Sequence, residues 1–314
     1  KWSKQILPAL LAWAGSLDDP WVIADQDLMN KLRTIVTTVI PHFKDLTDIR
    51  PGTPAFTLAA QRLSTWRSNY GSTAIVIIAH FLSLDYKPAG KGNIEDAEEM
   101  EDAEERRTPQ DICDDLLTGL AFLFKDLEAK PENAFQSSFV LQLLAHAHLR
   151  PCIGCPDIPK LNTTTLKAHG VKGAISLCCA ALERALRLIQ RGDIDIGNQI
   201  NARDKAAVKL PFKYKVTGKE TTGLLFSEQN WGSCTREYSA SVNKRDIATL
   251  EEIVSMARAI KTSTLDGVSS EDGSSQDNAM LNDQMAAASQ RKNICRSYII
   301  SLSWLLMCLN RIRV

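Results

Sequence analysis

The sequence has no excess of charge of either sign: 37 lysines and arginines balance 37 aspartates and glutamates. A general nucleic-acid binder draws most of its non-specific affinity from phosphate contacts and normally shows a basic surplus. Without one, only a local patch could serve that role. Near-zero charge also implies modest solubility. Five histidines leave little material for imidazole chemistry. No G-x-S-x-G elbow, H-E-x-x-H helix or dinucleotide fingerprint is present. Gly90-Lys91-Gly92 lacks the upstream glycine and the strand of a phosphate loop. The apolar stretch within Ser297 to Leu309 has 13 residues, too few for the ~20 of a membrane span.

What is present is material for a core: 44% hydrophobic and 24% charged residues in a chain of 314, ordinary for a globular protein of one large or two average domains. The clearest segment is Gly173 to Gly192. Ile175, Cys179, Leu182, Leu186 and Ile189 recur at three- and four-residue steps and share one helix face. Glu183 precedes Arg187 by four residues and is expected on the wet side as an intrahelical pair. Gly192 is placed as a C-terminal stop.

Similar patterns predict helices over Ser3 to Ala14, with Pro8 delaying or kinking the start, and over Leu28 to Val39, ended by Pro41. Thr53-Pro54 opens a helix through Leu63 and Trp66, and Ser72 or Thr73 opens a separate apolar run to Leu84, with His80 read as a core histidine. Thr108-Pro109 starts a helix carrying Ile112, Leu116, Leu117, Leu120 and Phe124. Further helices are expected over Phe139 to Leu149, from the cap Ser227 through Trp231 and Tyr238 to Val242, and through Ile247, Leu250, Val254 and Ala257.

The fold class is therefore all-α, a multi-helix domain over residues 1–260. Between 87 and 107 lies an insertion in which eight of the eleven residues Glu95 to Glu105 are acidic. It is expected to be disordered by like-charge repulsion, or else to dock a basic partner. Val208 to Val216 alternates apolar residues with Lys209, Pro211, Lys213 and Lys215, which predicts one short extended arm. Residues 261–293 read as a disordered Ser/Asp-rich linker, and 294–314 as an apolar C-terminal helix that docks on the core or lies on a membrane surface. A chain beginning at Lys1 suits a domain taken from a longer protein. Cys178 and Cys179 sit in an apolar helix, and the eight cysteines lack small-scaffold spacing, which favours a reducing, intracellular setting.

The sharpest chemical cluster is AHAHLRPCIGCP. His146, His148, Cys152 and Cys155 supply four donors of the type that suits zinc. Their spacing is not that of a standard finger, and two histidines two apart on one helix point about 200° apart. Buried cysteines at a helix end explain the same residues without a metal.

Arg184, Arg187 and Arg191 form either a solvated helix face or an anion-docking strip. Lys209, Lys213 and Lys215, with Phe212 and Tyr214, form either a lysine-protected edge or a single-strand contact.

Several phrases are distinctive: LPALLAWAGSLDDPW (7–21), QRLSTWRSNYGSTA (61–74), FQSSFVLQLLAHAHL (135–149), GAISLCCAALERALRLIQRGDI (173–194) and FSEQNWGSCTREYSASV (226–242). In the same order, they resemble an uncharacterised helical domain found in many proteins of mushroom-forming (basidiomycete) fungi. The resemblance covers roughly residues 1–260. It implies no reaction, and it carries over no catalytic residue.

The first functional expectation is a non-enzymatic interaction module with a protein partner, nuclear or cytoplasmic and without a cofactor. The alternative is nucleic-acid binding through the lysine arm and the arginine face. A second alternative is an enzyme with a zinc site or with Asp114, Asp115 or Glu183 converging on a histidine.

Overall fold

The computed structural model describes residues 1–42, 49–85, 107–194 and 224–260, all within one unit of the chain, Lys1–Thr262. The extended arm with Lys209, Lys213 and Lys215, the 261–293 linker, the 294–314 helix and all but the last residue of the acidic insertion lie outside the described residues. Among those described, the protein is all-α, with a single antiparallel bridge between Phe124 and Ala134. No helix among them is long and apolar enough to cross a membrane.

Pro8 shapes the first element. A π turn, Trp2–Ile6, runs directly into α1 (Leu7–Gly15), with Pro8 near its start. A proline lacks the N–H for the helical ladder and its ring crowds the carbonyl four residues back. The wider turn before it relieves that crowding. α2 (Asp25–Val39) buries Leu28, Leu32, Ile35, Val36 and Val39 and stops before Pro41.

α3 (Pro54–Asp85) is one continuous helix of 32 residues where the sequence suggested two. Gly71, just before the Ser72 or Thr73 start expected for the second run, is inside it, where another chain segment comes close. A Cβ on Gly71 would lie 2.6 Å from Phe226 Cβ. The run beyond it is not uniformly buried, since Val76 and His80 are exposed. His80 is therefore a surface residue and not a core histidine.

α4 (Pro109–Leu117) opens with a reciprocal capping box between Thr108 and Asp111. It ends seven residues before Phe124, because Gly119 and Leu120 take positive φ values of 61° and 58°. Leu120 is thereby turned out to solvent. α5 (Ser138–Leu144) is capped by the Ser137 side chain and continues as a second π turn, Ala145–Leu149. Between this turn and residue 172, where the sequence shows no helical pattern, lies α6 (Thr163–His169), entered through Asn162 in the left-handed region at φ 50°.

α7 (Lys172–Gln190) is the centre of the molecule. It packs against α1, α3, α4, α5 and α8 (Glu228–Val242). Sixteen of its nineteen residues are buried, which makes it a surrounded helix and not a half-exposed one. Gly173, Ala174, Ala180, Ala181 and Ala185 let neighbours approach closely, and a Cβ on Gly173 would sit 2.3 Å from the Leu17 carbonyl oxygen. α9 (Ile247–Ala259), capped by Asp246, closes over α5 and α6.

Candidate functional site

Burial around α7 reassigns the charged residues on it. Glu183, expected on the wet side, lies in the seam between α7 and α8. One carboxylate oxygen accepts from Arg187 Nε at 2.7 Å. The other accepts from the Tyr238 hydroxyl at 2.7 Å and the Cys234 thiol at 3.2 Å. Burial and the neighbouring anionic groups push both Tyr238 and Cys234 well above their usual pKa ranges, so both stay protonated and act as donors.

Arg184 is 2% exposed. Its Nε donates to the Leu224 carbonyl at 2.8 Å and one terminal nitrogen to the Gly71 carbonyl at 3.3 Å. Burial lowers its pKa to about 10, still charged at neutral pH. Arg184 thus ties α7, α3 and the segment entering α8 together. It cannot be one member of a surface strip with Arg187, which pairs with Glu183, and Arg191, which is exposed.

The carboxylates expected as candidates for an acidic site, Asp114, Asp115 or Glu183, are each engaged with a partner that is not a histidine. Asp114 accepts from Gln190 at 2.7 Å, Asp115 pairs with Arg107, and Glu183 holds the α7–α8 seam.

The AHAHLRPCIGCP segment is different: it meets a cleft. The π turn places His146 half-buried and His148 buried. The His148 ring packs against the bare α-carbon of Gly15 and lies 5.9 Å from the Trp66 ring. The Cys152 sulfur is 3.9 Å from its Nδ1. Burial depresses the His148 pKa to about 4, so the ring is neutral at physiological pH.

Burial raises the Cys152 and Cys155 thiols, with nearby Arg258 and Lys167 pulling weakly the other way. Both are free thiols, and Cys155 donates to the Pro156 carbonyl at 3.5 Å. Among the described residues no three or more His, Cys, Asp or Glu side chains gather to hold a metal ion. The set His146, His148, Cys152 and Cys155 is therefore not brought together as a zinc site. His148 and Cys152 stay close, with the sulfur 3.9 Å from Nδ1, and Cys155 lines the same cleft, but His146 does not join them.

The cleft has a volume of about 320 Å³ and lies between α1, the second π turn, α6 and the end of α9. Leu149, Leu166 and Val171 supply apolar wall, and His148 and Cys152 are at its floor. Lys167 and Arg258 line it, and among the described residues no carboxylate does. Arg258 is held in place by donating to the Lys167 carbonyl at 2.6 Å. At the rim stands Ile153, 74% exposed. Sequence reasoning found this segment through its histidines and cysteines but missed Ile153 and Arg258. A lone isoleucine in a turn carries no periodic signal, and Arg258 is 102 residues beyond the end of the motif.

In comparisons with protein-family models, curated proteins and solved structures, nothing matches this chain.

Proposed function

We propose that this chain is a non-enzymatic interaction module, and that the cleft beside Cys152 to Cys155 is its receiving surface. The observation that carries this reading is Ile153. A large apolar side chain stands 74% exposed at the lip of an apolar cleft, where a partner would cover both. Glu183 and Arg184 serve cohesion instead, because their polar atoms are spent on bonds within the fold.

The setting we infer is intracellular and reducing, since the six described cysteines are all free thiols.

Quantitative affinity capture tests the reading, comparing the wild-type chain with Ile153→Ser. A set of proteins retained by the wild type and lost from the variant is the expected result. Identical sets for the two chains overturn the assignment of this surface.

A further inference from the structure

The cleft's chemistry narrows its partner, and this step rests on the interaction-module reading above. Ile153 is presented by the backbone and not merely left outside. The turn that carries it is closed by Ile153 N–H to the Arg150 carbonyl at 3.1 Å and Cys155 N–H to the Cys152 carbonyl at 3.1 Å. Gly154 follows at φ 87°, a conformation that suits glycine. There it presses on the first π turn so closely that a Cβ would lie 2.6 Å from the Lys4 carbonyl oxygen. The turn is therefore clamped to the body of the protein, and its apex points an isoleucine at solvent.

Charge gives the second constraint. The chain as a whole is neutral. Residues 145–172, however, carry Arg150, Lys160, Lys167 and Lys172 against the single acid Asp157, four positive charges less one negative for a net of three positive. Asp157 is occupied by the Thr163 and Thr164 hydroxyls at 3.2 and 3.3 Å. Arg258, from α9, adds a further cation directly at the cleft. An apolar cavity lined, among the described residues, by two cations and no carboxylate is complementary to an apolar group flanked by negative charge.

We propose that the cleft binds an acidic peptide segment of a partner protein, seating one apolar side chain between Leu149, Leu166 and Val171. Its flanking carboxylates face Lys167 and Arg258. Ile153 then packs along the outside of the same segment. The volume of about 320 Å³ is at the low end for small-molecule sites and suits a single anchoring side chain. A compact ligand confined to the cleft would leave Ile153 uncovered, whereas a peptide running over the lip covers it. A nucleic acid fits less well, because its backbone needs a row of cations and gains little from aliphatic walls.

The test is fluorescence anisotropy on the full chain with three short labelled peptides. The first alternates aspartate and glutamate with leucine and phenylalanine. The second replaces the apolar residues by serine, and the third replaces the acids by lysine. The first is expected to bind, and the other two at least about tenfold more weakly. Ile153→Ser and Arg258→Glu should each weaken the first peptide about tenfold, with the unfolding transition unchanged in Ile153→Ser, whose side chain is exposed, and lowered only slightly in Arg258→Glu, which also loses its exposed bond to the Lys167 carbonyl. Val22→Ser, at another exposed apolar residue, should bind as the wild type does.

Equal binding of the serine peptide reduces the site to bulk charge and overturns the proposal. So does indifference to Ile153→Ser, or displacement of the peptide by single-stranded DNA with equal potency. If no peptide binds while affinity capture still depends on Ile153, the acidic chemistry falls and the interaction surface stands. If capture is also indifferent to Ile153, both fall together.

Discussion

The α-carbon of Gly15 lies directly against the His148 imidazole, so that a Cβ built there would be 2.2 Å from Cε1 and 2.7 Å from Nε2. One glycine at the end of α1 thus makes room for the ring that floors the cleft. Gly15→Ala forces α1 and the second π turn apart. The expected cost is about 1–3 kcal/mol, as for overpacking a filled interior, measured by urea denaturation. A neutral outcome would mean that the two elements separate without loss.

His148 makes stability depend on pH in a known direction. Its imidazole titrates near 6.5 when unfolded and at about 4 in the fold. Above the unfolded value both states are neutral and the residue contributes nothing. As pH falls from there to the folded value, only the unfolded chain takes up the proton, so stability drops. The full loss is about 3 kcal/mol, and it levels off once the native ring protonates as well. His148→Gln should remove this part of the pH dependence. Subtracting the two denaturation profiles between pH 7.5 and 4 isolates the effect, because carboxylate contributions are common to both.

Glu183 carries the seam between α7 and α8. Glu183→Ala strips the buried Tyr238 hydroxyl of its acceptor and leaves Arg187 without its carboxylate. A loss of about 1–3 kcal/mol is expected, as for leaving a buried hydroxyl without its acceptor, since Arg187 is itself 45% exposed and its pair adds little. With Tyr238→Phe in a double-mutant cycle, the coupling should be about 1 kcal/mol or more. Additivity would show that the Glu183–Tyr238 bond contributes nothing net.

Arg184 should tolerate no replacement that fails to reach both carbonyls. Arg184→Lys keeps the charge but lacks the planar fork that spans Leu224 and Gly71. One acceptor is then left buried without a donor, at a cost of about 1–3 kcal/mol. Thermal unfolding measures it, and an unchanged midpoint would place the residue outside the core.

These residues also mark where the sequence was readable. α2, α7 and α9 declared themselves through apolar steps of three and four with plausible stops, and Gly192 takes φ 72° after α7 as a helix-ending glycine should. α3 departs from the expectation because Ser72 or Thr73 has the look of a new start, while Gly71 beside them is where Phe226 approaches from 155 residues away. Tertiary contact, not local preference, decided it.

Glu183 and Arg184 look like a wet face for the same reason: their partners Tyr238, Leu224 and Gly71 are 55, 40 and 113 residues distant. α6 escaped notice because its TTTLKAH sequence is short and opens with three β-branched threonines. In the candidate site, the sequence marked the right segment for the wrong property. Cys152 and Cys155 bound the turn, and Ile153 between them is what it displays.

The most direct test of the cleft as the interaction surface is hydrogen–deuterium exchange on the full chain, with and without the acidic, leucine-containing peptide. Protection confined to residues 149–155, 166–171 and the end of α9 around Arg258, and lost in Ile153→Ser, is the predicted result. Protection elsewhere with these segments unchanged would contradict the account.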